Sequence, residues 1–189
     1  MTDRPRVPVT AKPPRRFEVA IGELIRKDER VVVIARPSLF MVVLEPLGSL
    51  VAIAVLVGVT MLWKAAYPGF GWTGTGAVGF GLLLAGFRLG WAYLDWMNRL
   101  YVLTDRRVVR RRGVIRVDVF EARLDRIQQT NVVQPLRQRI FGLGTIAFAT
   151  AGTAGFDALW EYLPTPYQVH ADVVHAVDRT PPRDGTGGV

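Results

Sequence analysis

Six arginines fall within eleven residues of the chain and are its strongest candidates for binding an anion: Arg106, Arg107, Arg110, Arg111, Arg112 and Arg116. A guanidinium group is planar and donates two parallel hydrogen bonds, a geometry that suits phosphate and carboxylate oxygens. We therefore predict that this arginine cluster binds anionic lipid headgroups or an acidic partner. The alternative is that the cluster only sets membrane topology and that its side chains are solvated.

The spacing within the arginine cluster limits how many of its members can act together. Successive side chains of a β-strand point to opposite faces. Arg106, Arg110 and Arg112 then share one face, and Arg107 and Arg111 share the other. About half of the cluster at most can meet one flat surface, and Arg107 has the alternative role of a structural partner for a nearby acid or carbonyl.

Residue patterns that would support catalysis or metal binding are scarce. His170 and His175 are five residues apart, which places them on different faces of a helix and argues against a metal pair. The sequence Gly142-Leu143-Gly144 is not followed by a helix with Lys-Ser/Thr, so it does not match a phosphate-binding loop. The chain has no cysteine, which excludes disulfides and thiolate chemistry. We expect a protein that is not an enzyme and holds no metal or other cofactor.

Two charged residues interrupt otherwise apolar stretches. Glu45 is the only charge in residues 39–63, and Arg88 is the only charge in residues 74–94. Each lies seven residues from the expected cytoplasmic boundary, at a depth of about 10 Å in a helix, which predicts an ion pair within the membrane. In the alternative, Pro46 starts the first membrane helix, Glu45 lies near its N-cap among the headgroups, and Arg88 snorkels.

The same two apolar stretches have the length of membrane-spanning helices, since about 20 apolar residues cross ~30 Å of hydrocarbon. Buried core helices of a soluble protein are seldom this long and this poor in polar residues. Residues 1–38 carry nine Lys and Arg and the chain after Met97 carries thirteen, whereas the turn between the helices carries only Lys64. By the positive-inside rule, we expect a two-pass protein with both termini in the cytoplasm.

Residues after the second apolar stretch alternate in the manner of short β-strands separated by turns. About six such strands precede a helix that begins at Pro166 with Thr165 as its N-cap and Val169, Val173 and Val177 on one face. The apolar pattern within residues 17–36 either lies on the membrane surface or packs on this later domain. The expected domains are a disordered tail (1–16), a cytoplasmic juxtamembrane segment (17–38), a transmembrane hairpin (39–96), a mainly β domain (97–178) and a disordered tail (179–189).

The ordered set of motifs that follows the hairpin resembles a known family. These motifs are Tyr101-Val102-Leu103-Thr104-Asp105-Arg106-Arg107, the turn Arg112-Gly113, Leu124-Asp125-Arg126-Ile127, the run from Arg139 to Ile146, and the helix at Pro166. Together they are similar to the bacterial pleckstrin-homology domain membrane proteins of the YdbS-like type, over about residues 20–178. One departure is Arg36-Pro37-Ser38, where relatives often carry a His or basic residue with Pro.

The resemblance implies a cytoplasmic, mainly β pleckstrin-homology-like barrel of about six to seven strands that is capped by a C-terminal helix, in a bacterial plasma membrane protein. It implies no established enzymatic activity. In eukaryotic pleckstrin-homology domains, basic side chains of the first hairpin bind phosphoinositides, and the arginine cluster is expected in the first hairpin here. Some family members are linked to resistance to membrane-active peptides.

Three functional hypotheses remain from the sequence. The first is a membrane-anchored scaffold or adaptor whose barrel binds lipid headgroups or a protein. The second is an accessory subunit of a transport, efflux or peptide-resistance assembly, with a homo-oligomer or another membrane protein as partner. The third is nucleic-acid binding, which the net charge of +8 suggests. The third is not favoured because no helix-turn-helix, zinc finger or aromatic stacking motif is present.

Overall fold

The long apolar runs form helices, and the alternating runs form strands, in two separate units of the chain. The structure is a computed structural model that describes residues 29–69, 74–150 and 155–179. One unit, the helical unit, is Leu39–Asn98, and the other, the sheet unit, comprises Met1–Ser38 and Arg99–Val189. The predicted tails and the segment 17–28 lie outside the described residues.

The helical unit contains a short helix and two long ones, α1 (Met41–Leu44), α2 (Leu47–Ala66) and α3 (Gly74–Asn98). Pro46 is the N-cap of α2, in agreement with the alternative in which the first long helix starts at this proline. Both long helices are long and apolar enough to cross a membrane. No residue of α2 is buried, and Leu62 is 73% exposed.

One small residue permits close packing between the two long helices. A Cβ atom at Gly81 would lie 2.4 Å from Cγ2 of Val57, so α2 and α3 approach each other closely only because this position lacks a side chain. At Gly58, Gly86 and Gly90, no neighbouring atom lies within 4 Å of the position that a Cβ atom would take. Small residues at those three positions therefore do not contribute to the contact within the hairpin.

The sheet unit consists of two antiparallel sheets. The first has the order β1-β2-β3-β4 and the second the order β5-β6-β7. The strands are β1 (Val31–Ala35), β2 (Leu100–Thr104), β3 (Arg107–Arg112), β4 (Asp118–Arg123), β5 (Ile127–Val133), β6 (Leu143–Thr150) and β7 (Ala158–Pro164), with a 3-10 turn (Leu124–Arg126), α4 (Leu136–Arg139) and α5 (Pro166–Asp178). Seven strands in the described residues and a C-terminal helix confirm the predicted fold class.

The first strand comes from the segment before the helical unit. Val31–Ala35 pairs antiparallel with β2, so this part of the segment packs on the later domain, as one of the two sequence interpretations proposed. The helical unit is therefore inserted between β1 and β2 of one sheet. The alternating residues that follow Gly113 form a strand only from Asp118, because Gly113 turns the chain with a φ of 122°.

The core lies between the two sheets and α5. Trp160 is fully buried, with its ring 5.5 Å from that of Tyr101 and 5.2 Å from that of Phe148. Val173 of α5 packs in the same cluster, whereas Leu100 and Val102 form a small cluster on the opposite face of the first sheet. Burial of these apolar side chains is the main force that stabilises the unit.

Helix α5 begins at Pro166 as predicted, but its cap differs from the prediction. Thr165 has left-handed backbone angles, and its side chain makes no capping hydrogen bond. Its carbonyl oxygen instead accepts hydrogen bonds from the N–H groups of Gln168 and Val169. Thr165 thus caps the helix through its backbone alone.

Candidate functional site

The six arginines of the cluster lie at two opposite ends of the first sheet. The register pairs Leu100 with Arg111 and Arg112 with Asp118, which places the end of β3 beside the start of β2. Ala35, the last residue of β1, pairs with Tyr101 at this same end. We call it the attachment end, because the chain leaves the sheet there for the helical unit and returns there.

The opposite end, the distal end, is formed by the turn between β2 and β3. It carries Arg106 and Arg107. The start of β1 also lies at this end, since the N–H group of Asp105 donates a hydrogen bond to the carbonyl oxygen of Arg30. Strands of five to six residues separate the two ends by about 17–20 Å. The cluster, continuous in sequence, is therefore two separate groups of arginines in space.

The arginine cluster lies on the first hairpin that follows the helical unit, in agreement with the sequence prediction. β2 and β3 pair antiparallel, and the turn between them holds Arg106. β1 precedes the helical unit and pairs with β2, so this hairpin joins the second and third strands of the sheet. The comparison with the phosphoinositide-binding hairpin of eukaryotic domains stays a prediction.

Arg107 is a structural residue of the distal end. Its Nε atom lies 2.9 Å from a carboxylate oxygen of Glu29, its Nη1 atom also pairs with Glu121, and its side chain is 13% exposed. Burial alone would lower the pKa of Arg107, but the hydrogen bonds and charges of Glu29 and Glu121 outweigh it and raise this pKa above its ordinary value. The alternative role foreseen for Arg107, that of partner to a nearby acid, agrees with these contacts.

Arg110 and Arg112 lie on the core face of β3 at the attachment end, each beside an acid. Arg110 bonds to Asp118 at 3.0 Å, and its guanidinium carbon lies 5.7 Å from the ring centre of Phe120. Nη1 of Arg112 lies 3.3 Å from Oε2 of Glu161 on β7, so this pair joins the two sheets. Both arginines therefore have partners within the fold.

Arg99 is a charged residue that sequence reasoning missed. Its side chain is fully buried, and its Nη1 atom lies 2.7 Å from Oε2 of Glu161, the same oxygen that pairs with Arg112. Arg99 directly follows the last residue of α3. A signal was available, since Glu161 is the only charge in the apolar strand β7 and a buried charge requires a partner.

An irregularity in β7 brings further groups to Glu161. The pairing of β6 with β7 shifts between Gly144 and Ile146, and Tyr162 has a φ of 56°. Next to it, the N–H group of Glu161 donates a hydrogen bond of 3.2 Å to the Tyr101 hydroxyl. Burial raises the pKa of Tyr101 above its ordinary value. The bulge thus changes the direction of the strand, which allows Glu161 to reach its partners.

The residues that flank the helical unit on either side, Ser38 and Arg99, both bind to this bulge. The N–H group of Ser38 donates a hydrogen bond of 2.8 Å to the carbonyl oxygen of Tyr162. On the return, Arg99 pairs with Glu161. β7 therefore holds the chain at its exit from the sheet unit and at its re-entry.

Arg111 and Arg116 make no ion pair within the described part of the chain. Arg111 lies opposite Leu100, on the face away from Arg110 and Arg112, and is half-buried. Arg116 is exposed in the turn at residues 113–117, where Ile115 is 83% exposed. The attachment end thus presents two cations and an apolar side chain to the surroundings.

Arg106 borders a groove of about 650 Å³ at the distal end. Arg123 and Arg126 also line it, but so do Glu29, Glu121 and Asp125. Because basic and acidic side chains both line this groove, we expect it to have no marked preference for an anion.

Glu45 and Arg88 are both half-buried in the helical unit. Glu45 is the C-cap of α1, and its N–H group bonds to the carbonyl oxygen of Met41. It directly precedes the N-cap of α2, as the alternative to the ion pair proposed. The pairing of Glu45 with Arg88 stays a prediction.

The two histidines considered for metal binding, His170 and His175, both belong to α5. His170 forms a side-chain hydrogen bond of 3.1 Å with Thr130. Among the described residues, no group of three or more His, Asp or Glu side chains has an arrangement that could hold a metal ion.

Comparisons with known proteins give one family. The model of the family described as Bacterial PH domain matches residues 37–176, which include both long helices and most of the sheet unit. No curated protein matches the chain. A solved structure, that of a DUF1696 family protein with a pleckstrin-homology domain from Shewanella loihica PV-4, is 7% identical and covers 86% of this chain and 91% of its own, with a TM-score of 0.45.

Proposed function

Because this chain belongs to the bacterial PH domain family, we propose that it is a membrane-anchored, non-enzymatic scaffold or adaptor of the YdbS-like type. In this proposal α2 and α3 cross the bacterial plasma membrane, and both termini lie in the cytoplasm. The attachment end of the sheet unit binds anionic lipid headgroups at the inner membrane face.

The composition and exposure of the long helices support membrane anchoring. α2 has 20 residues and α3 has 25, equivalent to about 30 and 37 Å of helix. Their apolar side chains are largely exposed, including Leu62 and Phe87 at 73% and 70%. Apolar surface of this extent is unfavourable in water and favourable in a lipid bilayer.

The observation that carries lipid binding is the position of Arg111 and Arg116 at the attachment end. Only Arg99 separates the last residue of α3 from β2. One residue spans at most about 3.6 Å, so a membrane-spanning α3 keeps this end of the sheet close to the bilayer surface. Arg111 and Arg116, which make no ion pair with the residues that the structure describes, are then within reach of the headgroups.

Electrostatic screening distinguishes the two groups of arginines. A basic side chain near an anionic leaflet contributes about 1 kcal/mol, and this attraction falls off over a Debye length of about 8 Å. Arg106 and Arg126 at the distal end are about two such lengths farther from the membrane. We therefore expect Arg111 and Arg116 to contribute to lipid binding and the distal arginines to contribute little.

The test uses the full chain in lipid nanodiscs. Because the chain has no cysteine, Ile115→Cys provides one site for a polarity-sensitive fluorophore. We expect its emission to shift to shorter wavelength when phosphatidylglycerol is added to phosphatidylcholine discs, and to return in high salt. Arg111→Glu with Arg116→Glu should abolish the shift, while the matched pair Arg106→Glu with Arg126→Glu should retain it. Equal behaviour of the two pairs would contradict the proposal.

A second candidate function is that of an accessory subunit in a membrane transport, efflux or peptide-resistance assembly. The observation in its favour is the open space beside Gly58, Gly86 and Gly90 on the hairpin, where another helix could approach closely. Disulfide cross-linking of Gly58→Cys and Gly86→Cys variants in native membranes tests it. Cross-linked products to a second copy or to another protein support this function, and their absence at both positions argues against it.

A further inference from the structure

We propose that the connection between β5 and β6, residues 134–142, is a second membrane-contact surface that inserts apolar side chains into the headgroup region of an anionic bilayer. This inference rests on the proposed membrane anchoring. It concerns a different surface from the one that carries Arg111 and Arg116, so the two can be tested separately.

In this connection a polar side chain is buried and apolar side chains are exposed, the opposite of the arrangement that water favours. Gln138, a polar residue, is only 4% exposed, and its Oε1 atom accepts a hydrogen bond of 3.1 Å from the Thr145 hydroxyl. Leu136 and Ile140, on either side of it, are 75% and 71% exposed, and Phe141 is 45% exposed. The connection therefore turns its polar side chain inward and its apolar side chains outward, an arrangement that favours an apolar environment outside.

Hydrogen bonds fix the conformation of the connection that carries these apolar side chains. The Gln134 side-chain amide donates a hydrogen bond of 3.1 Å to the carbonyl oxygen of Leu143, and the Tyr167 hydroxyl donates one to Gln134. The turn closes at Gly142, with a φ of 67° and its N–H group bonded to the carbonyl oxygen of Arg139. Exposure of Leu136 and Ile140 is thus a property of the fold.

The connection lies close to the points at which the chain exits and re-enters the sheet unit. Leu143, the residue after it, pairs with Pro164 of β7. On the same strand, Tyr162 binds Ser38, and Glu161 binds Arg99. Two to three strand residues separate these contacts from Pro164, a distance of about 7–10 Å. A membrane that holds the chain at its exit would therefore be near residues 134–142.

Charge favours an anionic lipid surface as the occupant. Arg137 and Arg139 are exposed, make no ion pair in the described part of the chain, and alternate with the apolar residues. The connection contains no acidic residue. Basic side chains beside apolar ones are typical of segments that lie at a membrane interface. A symmetric contact between two copies would bring the arginines of both together and is disfavoured by repulsion.

The test again uses the full chain in nanodiscs that contain phosphatidylglycerol. Ile140→Cys and Leu136→Cys variants carry a fluorophore that brominated lipid chains quench, and Gln128→Cys, an exposed site near the distal end, is the matched control. We expect lipid quenching at positions 136 and 140 and none at position 128. Arg137→Glu with Arg139→Glu should reduce quenching at position 140.

Each outcome has a separate meaning. If the label at position 140 is as accessible to water as the label at 128, the inference is overturned, whatever the Ile115 reporter shows. Quenching at 140 without any response at Ile115 supports this surface and contradicts the proposed role of Arg111 and Arg116. Protection at 140 without lipid quenching, together with energy transfer between labelled copies, would identify a second copy as the occupant and overturn the inference.

Discussion

The carboxylate of Glu161 lies 2.7 Å from the guanidinium group of Arg99, whose side chain is fully buried. Arg99 is the single residue between α3 and β2, and Glu161 belongs to the second sheet. The ion pair therefore ties the return of the chain from the helical unit to the opposite sheet. Arg112, on the same carboxylate oxygen, extends this tie to β3.

We expect Glu161→Ala to destabilise the sheet unit strongly. The substitution removes the carboxylate that pairs with the buried charge of Arg99, and such losses lower the free energy of unfolding by about 3–5 kcal/mol. Chemical denaturation of the full chain in nanodiscs, followed by pulse proteolysis of the sheet unit, measures the change. Asp118→Ala is the control, because Asp118 is 65% exposed and its pair with Arg110 should contribute only about 0–1 kcal/mol. Similar losses in both variants would contradict the assigned role of Glu161.

Tyr101 should make the sheet unit sensitive to alkaline pH. Burial raises its pKa in the folded protein above the ordinary value of 10.0. Because the unfolded chain then loses this proton first, the contribution of Tyr101 is fully present below pH 10 and is lost as the pH rises through the folded pKa. The unfolding midpoint should fall less between neutral pH and a pH above 10 in Tyr101→Phe than in the natural protein. An equal fall in both proteins would show that the pKa of Tyr101 is not raised in the folded state.

Gly113→Ala should disrupt the turn that carries Arg116. A Cβ atom at this position would lie 1.9 Å from the carbonyl oxygen of Arg116, and the φ of 122° is unfavourable for other residues. We expect a loss of about 1–3 kcal/mol in stability and a loss of the lipid response of a label at Ile115. Gly69→Ala is the control, since no atom lies within 4 Å of its Cβ position. A normal response in Gly113→Ala would mean that the turn geometry is unimportant.

The proposed topology predicts opposite labelling of two single-cysteine variants in intact cells. Gly69→Cys, in the connection between the long helices, should react with a membrane-impermeant maleimide added outside the inner membrane. Gln128→Cys should react only after the membrane is permeabilised, because positive flanking charge favours a cytoplasmic sheet unit. The reverse pattern would exclude the proposed orientation, and reaction of both without permeabilisation would exclude membrane spanning.

The sequence by itself determined the elements whose signals are local. Two apolar runs predicted two long helices, and the alternating residues after them predicted a series of short strands. The proline at position 166 predicted the start of α5. These features were predictable because hydrophobic periodicity and helix start signals depend on residues that are close in the chain.

Tertiary structure alone decided which distant residues meet. Val31–Ala35 joins β2 across the whole helical unit, and Arg99 pairs with a carboxylate that lies 62 residues away. The direction of β3 divides one arginine cluster between two ends of a sheet. The fold also buries Gln138 while Leu136 and Ile140 are exposed. Register and burial depend on the packing of the whole unit, which no local pattern encodes.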